Sequence, residues 1–306
     1  MLTFALRRLL TTIPMVLVVV SLTWGLIRLA PGNFYSGERA LPPAVERNLR
    51  EKYGLDQPWY VQYGRMLGNT LRGDFGSSLK YPGETVNEIL ANAVPVSATL
   101  GLLAYALALV VGVTAGTLAA TRQNSAVDHA SMAAALVGIS VPNFVLGPTL
   151  VLWLALTWYW LPPAMWDGWW SPNLIMPVLT LSAVYMAYIA RLTRAGMLEV
   201  LRSNYIRTAR AKGLPARTVL IRHAMRGGLL PVVSFSGPAV ALLLTGTVVV
   251  EKIFALPGLG NYFINANLNR DEPLIIGIVA FTAIVVLVFN LLVDLAYGLI
   301  DPRVRY

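Results

Sequence analysis

The chain has 306 residues, of which 56% are hydrophobic and 13% charged, and its formal net charge is +9. Soluble domains are about a quarter charged, so this composition and a mean hydropathy of +0.62 exclude a soluble globular protein and indicate an integral membrane protein. The absence of cysteine excludes disulfides, zinc thiolate sites and cysteine nucleophiles.

Six apolar runs are long enough to cross a bilayer as helices. They cover residues 9–29, 96–120, 130–158, 174–190, 229–250 and 274–299. The first run follows Arg7 and Arg8 but is too long for the apolar core of a signal peptide, and residues 30–32 offer a helix stop instead of a cleavage site. We therefore predict an all-α polytopic membrane protein with six transmembrane helices, of which the first is retained.

The distribution of charge predicts the orientation. Residues 31–95 hold seven basic and seven acidic residues, whereas residues 191–226, which we call the basic loop, hold nine and one. Because an excess of Lys and Arg marks the cytoplasmic side, we expect both termini in the cytoplasm. The predicted organisation is an N-terminus with helix 1 (1–30), a small folded extracytoplasmic region (31–95), and a core (96–306) with a cytoplasmic loop at 191–228. The same rule explains the net charge without a nucleic-acid partner.

Some spans carry internal signals. Pro142 and Pro148 interrupt the third span, and such breaks are tolerated only where protein or water covers the freed backbone groups. Gly112 and Gly116 form a small-xxx-small face for close helix packing. Aromatic residues crowd residues 158–170, where we expect a belt at the level of the lipid headgroups; a substrate-binding aromatic box is the alternative.

The sequence lacks common motifs for nucleotide binding and for hydrolytic catalysis. It contains no phosphate-binding P-loop, no His-Glu-x-x-His and no Gly-x-Ser-x-Gly. We expect His129 and His223 to be surface or packing residues, and Glu251 and Lys252 to be interfacial. Asp294 lies inside a span, where it serves either a structural ion pair or a proton relay. A proton-coupled carrier ordinarily needs several buried carboxylates or histidines along its path, and the sequence offers only this one. A pore without its own energy source is the other interpretation.

The basic loop is predicted to contain a short helix. Ser203 is a candidate N-cap, and Gly213 with Pro215 makes a stop. A second helical stretch is expected at residues 216–225. Ala209 and Ala211 are small enough to let a partner surface approach. The cations that can pair with acidic groups are Arg207, Arg210 and Lys212. These features fit either a docking helix or a segment lying on anionic lipid.

The loop resembles the cytoplasmic coupling loop of ABC-importer permeases, whose general pattern is Glu-Ala-Ala, a Gly after three further residues, then Ile-x-Leu-Pro. Arg207 stands at the Glu position, Thr208 and Ala209 at the two Ala positions, and Gly213 at the Gly. The variant found in peptide permeases is closer: Thr-Ala-Arg-Ala-Lys-Gly at residues 208–213, followed by an Arg-His pair at 222–223. Arg226 departs from the family's proline. The coupling residues implied by the resemblance are Arg207, Thr208, Ala209, Arg210, Ala211, Lys212 and Gly213.

Further segments carry the same resemblance, and together they follow the order of the family along most of the chain. They are residues 72–76, 249–260, 269–271 and 301–306. The chain thus resembles the B-type permeases of oligopeptide and dipeptide ABC importers, most closely the oligopeptide type.

The resemblance implies a type I ABC-importer fold in a bacterial cytoplasmic membrane, alternating access, and no enzymatic activity in this chain. The implied partners are a homologous C-type permease, two cytoplasmic ATPases that bind ATP and Mg²⁺, and an extracytoplasmic peptide-binding protein. Relatives also carry dipeptides, nickel chelates or glutathione. A secondary carrier or channel, and a membrane scaffold or sensor, are the alternatives of other classes.

Overall fold

The computed structural model describes the backbone of residues 2–30, 54 and 56–300, and the side chains of residues 11–30, 54 and 56–295. In these ranges the chain is helical, with one isolated β-bridge between Ser77 and Thr85. The helices are α1 (Leu2–Leu29), α2 (Trp59–Arg72), α3 (Val86–Thr121), α4 (Ala126–Ser140), α5 (Asn143–Leu150), α6 (Ile175–Leu201), α7 (Asn204–Ala211), α8 (Leu230–Leu244), α9 (Val248–Ile253), α10 (Leu259–Asn269) and α11 (Glu272–Ile300). The predicted all-α architecture is confirmed.

Five segments are long and apolar enough to cross a membrane. A bent pair, α4 and α5 with the π-helical turn Val151–Thr157, makes a sixth if it is counted as one span. The two halves of this pair meet at about 100°, so the predicted third span at residues 130–158 is interrupted, as its prolines indicated. The break falls at Pro142, which has no N–H to donate and keeps Val141 in an extended conformation.

Helix α3 begins ten residues before the predicted start of the second span. Thr85 and Glu88 form a capping box: the Glu88 amide donates to Thr85 Oγ1 at 3.2 Å, and the Thr85 amide donates to Glu88 Oε2 at 2.8 Å. Pro95 lies inside the helix. With 36 residues at about 1.5 Å each, α3 is longer than the hydrocarbon core and links the two ends of the molecule.

The predicted small-residue face of α3 packs against α6 in the same chain. A Cβ at Gly112 would lie 2.8 Å from the side chain of Ile189, and one at Gly116 would lie 2.4 Å from the carbonyl oxygen of Ala190. Any side chain at these positions would therefore push the two helices apart. This close contact forms the centre of the fold.

The described part of the region between α1 and α3 is fastened to the start of α11. Asp271 is fully buried and accepts hydrogen bonds from the Ser78 hydroxyl and, at 3.1 Å, from the Lys80 amide. Tyr81 packs edge-on against Tyr262 of α10, with ring centroids 5.4 Å apart. The predicted turn at Pro42 and Pro43 lies outside the described residues.

Candidate functional site

The basic loop contains the predicted short helix, α7, between α6 and an exit segment at residues 216–228. Ser203 precedes α7 in an extended conformation, but its hydroxyl donates to the carbonyl of Val200 at 2.7 Å and does not cap the helix. The start of α7 is instead tied down by the hydrogen bond between the side chains of Arg207 and Asn204 and by Thr208 Oγ1, which donates to the Asn204 carbonyl at 3.0 Å.

Helix α7 has one buried face and one exposed face. Ile206 is 0% exposed, and with Ala209, three positions later, it packs onto the body of the protein. The cluster that receives them consists of Ala120, Met197, Val219 and Ala224. Burying one isoleucine contributes about 1.5–3 kcal/mol, enough to hold a two-turn helix in a defined place. The methyl group of Ala209 thus contacts this chain, so it cannot be the small surface against which a partner approaches.

The remaining predicted coupling residues lie on the exposed face or at the exposed end of α7. They are Arg207, Thr208, Arg210, Ala211, Lys212 and Gly213. Three cations therefore point away from the body of the protein over little more than one helical turn. A surface of this kind can pair with carboxylates or phosphates of another molecule.

Gly213 ends α7 in a left-handed conformation, with φ at +75°. Its amide donates to the Arg210 carbonyl at 2.9 Å, and the Leu214 amide reaches the Ala209 carbonyl at 3.4 Å, which is the Schellman pattern. A Cβ at this position would meet nothing within 4 Å. Glycine is thus favoured here by the backbone conformation, and the space beside it is open to a partner.

The exit segment returns to α6 through close glycine contacts. A Cβ at Gly196 of α6 would lie 2.3 Å from the carbonyl oxygen of Gly228. The segment includes a π-helical turn, Val219–Ala224, in which His223 Nδ1 lies 3.3 Å from the Thr218 carbonyl. Arg226, where the family has a proline, is exposed in a continuous helical turn. The exit end of the loop is therefore packed against α6.

One cation of the basic loop is not available to a partner. Arg194 makes a two-pronged contact with Asp128 of α4: Nε lies 2.6 Å from Oδ1 and Nη2 lies 2.8 Å from Oδ2. The Asp128 side chain is only 3% exposed, and it also accepts from the Asn124 amide at 2.9 Å. Sequence reasoning missed this pair, although Ser125, whose hydroxyl accepts from the Asp128 amide, is a recognisable helix start.

The other polar residues singled out from the sequence differ in how far they are buried. Glu251 is fully buried in the protein and Lys252 is exposed, and the interfacial depth of both stays a prediction. Asp294 is half-buried in α11, and its structural role stays a prediction. His129 is exposed. In the described residues, no group of three or more His, Asp or Glu side chains is arranged to hold a metal ion.

The aromatic residues between α5 and α6 are largely exposed. Those at least half or nearly half exposed are Trp153, Trp158, Tyr159, Trp160, Trp169 and Trp170. Trp158 contacts Trp160 with ring centroids 4.7 Å apart and ring planes tilted by 36°. This exposure fits the predicted headgroup belt, and the substrate-binding box stays the alternative prediction.

Residues 112–306 match the family of binding-protein-dependent transport system inner membrane components. The chain belongs to this family, and it is a multi-pass membrane protein.

Named relatives extend over the full length. The chain is 46% identical to the oligopeptide transport system permease protein OppB of Salmonella typhimurium and 45% identical to that of Haemophilus influenzae, in each case over all of both chains. It is 42% identical to the dipeptide transport system permease protein DppB of Bacillus subtilis, over 95% of this chain and 94% of that one. The resemblance to peptide permeases, drawn from the motifs, is confirmed.

Two solved structures share the fold. An amino acid ABC transporter matches with a TM-score of 0.53 at 17% identity, over 69% of this chain and 94% of that chain. The inward-facing methionine ABC transporter MetNI matches with a TM-score of 0.57 at 14% identity, over 70% and 96%. At these identities the similarity concerns the fold alone.

Proposed function

We propose that this chain is the B-type permease subunit of an ATP-driven importer that carries oligopeptides across the bacterial cytoplasmic membrane. The observation that supports this most is the identity of 45–46% with oligopeptide permeases over all 306 residues. In the proposed orientation both termini and the basic loop are cytoplasmic, as the distribution of Lys and Arg predicts.

The proposed partners are a homologous C-type permease, two cytoplasmic ATPases and an extracytoplasmic peptide-binding protein. ATP and Mg²⁺ belong to the ATPases, since this sequence has no P-loop. The outer face of α7 is the proposed docking surface for one ATPase. Its exposed Arg207, Arg210 and Lys212 fit an acidic or polar groove, and the open space beside Gly213 leaves room for close approach.

The proposed mechanism is alternating access driven by the ATPases. A partner can shift the permease between two states only if it binds them differently, so the motion must enter where the ATPase touches. Packing of Ile206 and Ala209 joins α7 to α6 and to the exit segment, so these elements would move together. The ion pair between Arg194 and Asp128 extends the moving unit to α4.

Reconstitution tests this function. The four proposed membrane and ATPase components are purified, placed in liposomes, and supplied with the binding protein and radiolabelled tri-alanine or penta-alanine. We expect uptake that requires ATP inside, binding protein outside, and this chain. Lack of uptake of any peptide by an assembled complex with active ATPases would contradict the proposal.

Two further experiments distinguish the oligopeptide importer from the alternative substrates and from a secondary carrier. Mass spectrometry of the ligand that copurifies with the cognate binding protein distinguishes an oligopeptide from a dipeptide, the solute named for the 42%-identical relative. A nickel chelate or glutathione in that position would replace the peptide assignment. Uptake by this chain alone, without ATPases, would identify a secondary carrier or channel.

A further inference from the structure

Glu251 lies in α9, within an elbow segment (residues 245–261) that follows α8 and turns into α10. The turn before α9 contains Gly246, with φ at +96°. Glu251 is 0% exposed, although the next residue, Lys252, is exposed. A carboxylate taken out of water is costly unless its oxygens receive hydrogen bonds. The contacts of this side chain therefore need an explanation.

Neutral donors from two other elements surround the carboxylate. The Ser97 hydroxyl of α3 donates to Oε1 at 2.7 Å, and the Asn261 amide donates to Oε2 at 3.2 Å. The Leu259 amide donates in turn to Ser97 Oγ at 2.8 Å. Within the described part of the chain Glu251 forms no ion pair. The side chain thus joins α9, α3 and the start of α10 in one network.

The network replaces the cap that α10 lacks. Gly258 is the N-cap residue of α10 and has no side chain with which to accept from the first amides. Glu251 and Ser97 accept these hydrogen bonds instead, and the negative charge is stabilised by the positive end of the helix dipole. Glu251 of the preceding helix and Ser97, which is 162 positions from Leu259, therefore help to determine where α10 begins.

Three glycines leave room for the carboxylate. A Cβ at Gly258 would lie 2.5 Å from Glu251 Cδ, and one at Gly260 would lie 3.0 Å from Oε2. A Cβ at Gly246 would lie 3.0 Å from Oε1 and 2.7 Å from the Gly260 amide nitrogen. The absence of a side chain at Gly258 is thus explained by the space that Glu251 needs, whereas Gly246 and Gly260 also lie against neighbouring backbone atoms.

The elbow segment also forms a wall of a cavity of about 790 Å³ between α1 and α11. Thr245, Gly246, Val248 and Gly260 line it on the elbow side. Any shift of α9 relative to α10 would change the shape of this cavity. The elbow segment lies far from the basic loop, because their respective contacts on α3, Ser97 and Ala120, are separated by almost two thirds of that helix.

We propose that Glu251 is a positioning residue for transport: its carboxylate locks the elbow segment to α3, so that α9, α10 and α3 move as one body. The proposal rests on the transport function proposed above. A buried ionisable group is often less stabilising than an apolar side chain of equal volume. Here its value lies in the directional bonds, which fix one arrangement of three elements.

Glu251→Gln tests the lock with little change in volume. The amide oxygen can still accept from Ser97, but the amide NH₂ then faces the Asn261 N–H, a donor against a donor. We expect uptake of radiolabelled tri-alanine and the stimulation of ATP hydrolysis by loaded binding protein to fall at least about tenfold. Copurification of the subunits and unstimulated hydrolysis stay at the wild-type level. Uptake within about twofold of wild type would overturn the proposal.

Lys252→Gln is the matched control, because it changes the neighbouring exposed residue and should leave every readout unchanged. Gly258→Ala is the second variant: it keeps the charge but presses a methyl group against the carboxyl carbon. It should reproduce the loss of stimulated hydrolysis. If Glu251→Gln prevents assembly, Gly258→Ala decides, and an assembled Gly258→Ala complex with normal stimulation overturns the proposal.

A labelling experiment measures how firmly the elbow segment is held, without requiring transport. The natural chain has no cysteine, so Leu259→Cys introduces its only thiol at a position that is 0% exposed. We expect a maleimide to modify this thiol at least about tenfold faster when Glu251→Gln is also present. Leu268→Cys, at a position 77% exposed, should react equally in both backgrounds. Equal rates at Leu259→Cys would overturn the lock; absence of uptake by the wild type would instead contradict the proposed function.

Discussion

The two ends of α3 use charge in opposite ways. Near Ala120 the cations of α7 lie in the open, and only the apolar face with Ile206 is buried. Near Ser97 the carboxylate of Glu251 is buried, and its partners are backbone amides and a hydroxyl. Exposed charges contribute little to stability and stay free to meet a partner, whereas buried ones determine the local architecture. One end therefore suits recognition and the other suits a fixed shape.

Asp128→Asn tests an ion pair that joins a partly exposed cation to a buried carboxylate, and it should have the largest effect. Arg194 belongs to the basic loop by sequence, but its partner Asp128 is buried. Loss of the carboxylate should lower the midpoint of chemical denaturation, because it removes the charged acceptor of two Arg194 hydrogen bonds and of one from the Asn124 amide. Chemical denaturation of the purified permease in detergent measures this. Asp167→Asn, at an exposed position, is the control; additive losses in the double variant with Arg194→Gln would show that the pair is not coupled.

Gly213→Trp should have the next largest effect, on docking. The left-handed conformation costs a residue with a side chain about 1–2 kcal/mol, and the indole would fill the open space beside α7. We expect copurification of the ATPases and peptide-stimulated hydrolysis to fall at least about tenfold, with normal membrane insertion. Gly168→Trp has a similar backbone conformation, φ +91°, and equally open space, but it lies in the aromatic loop. Normal docking of Gly213→Trp would remove α7 from the interface.

Charge removal on the exposed face of α7 should have a smaller effect. Arg207→Gln and Arg210→Gln each remove one exposed cation, worth about 0.2–1 kcal/mol. We expect ATPase affinity to fall by no more than about fivefold for each, and less at high salt. Titration of ATPase into the reconstituted permease at two ionic strengths measures this. Unchanged ATPase affinity together with weaker contact to anionic lipid would favour the lipid-surface alternative.

Asp294→Asn should have the smallest effect. If this half-buried residue of α11 serves only the structure, uptake of tri-alanine should remain within about twofold of wild type. Asp294→Ala provides the comparison, since it also removes the polar contacts of the side chain. Loss of uptake by an assembled Asp294→Asn complex would assign the residue to the transport path.

The sequence by itself determined the class of fold, because apolar runs of spanning length admit only helices in a bilayer. It also located α7 and its end, since Gly213 and Pro215 are local signals that act within a few residues. Gly112 and Gly116 indicated that α3 packs closely against another helix, and the structure shows that this helix is α6.

Only the tertiary structure decided which charged residues are available. Arg194 and Arg207 belong to the same basic loop, but Asp128 takes the first and leaves the second exposed. Glu251 looks like a boundary residue beside Lys252, yet Ser97, 154 positions away, buries it. Such pairs depend on contacts between residues far apart in the chain, and no local pattern records them. The bend at Pro142 was signalled by the proline, but its angle of about 100° is seen only in the structure.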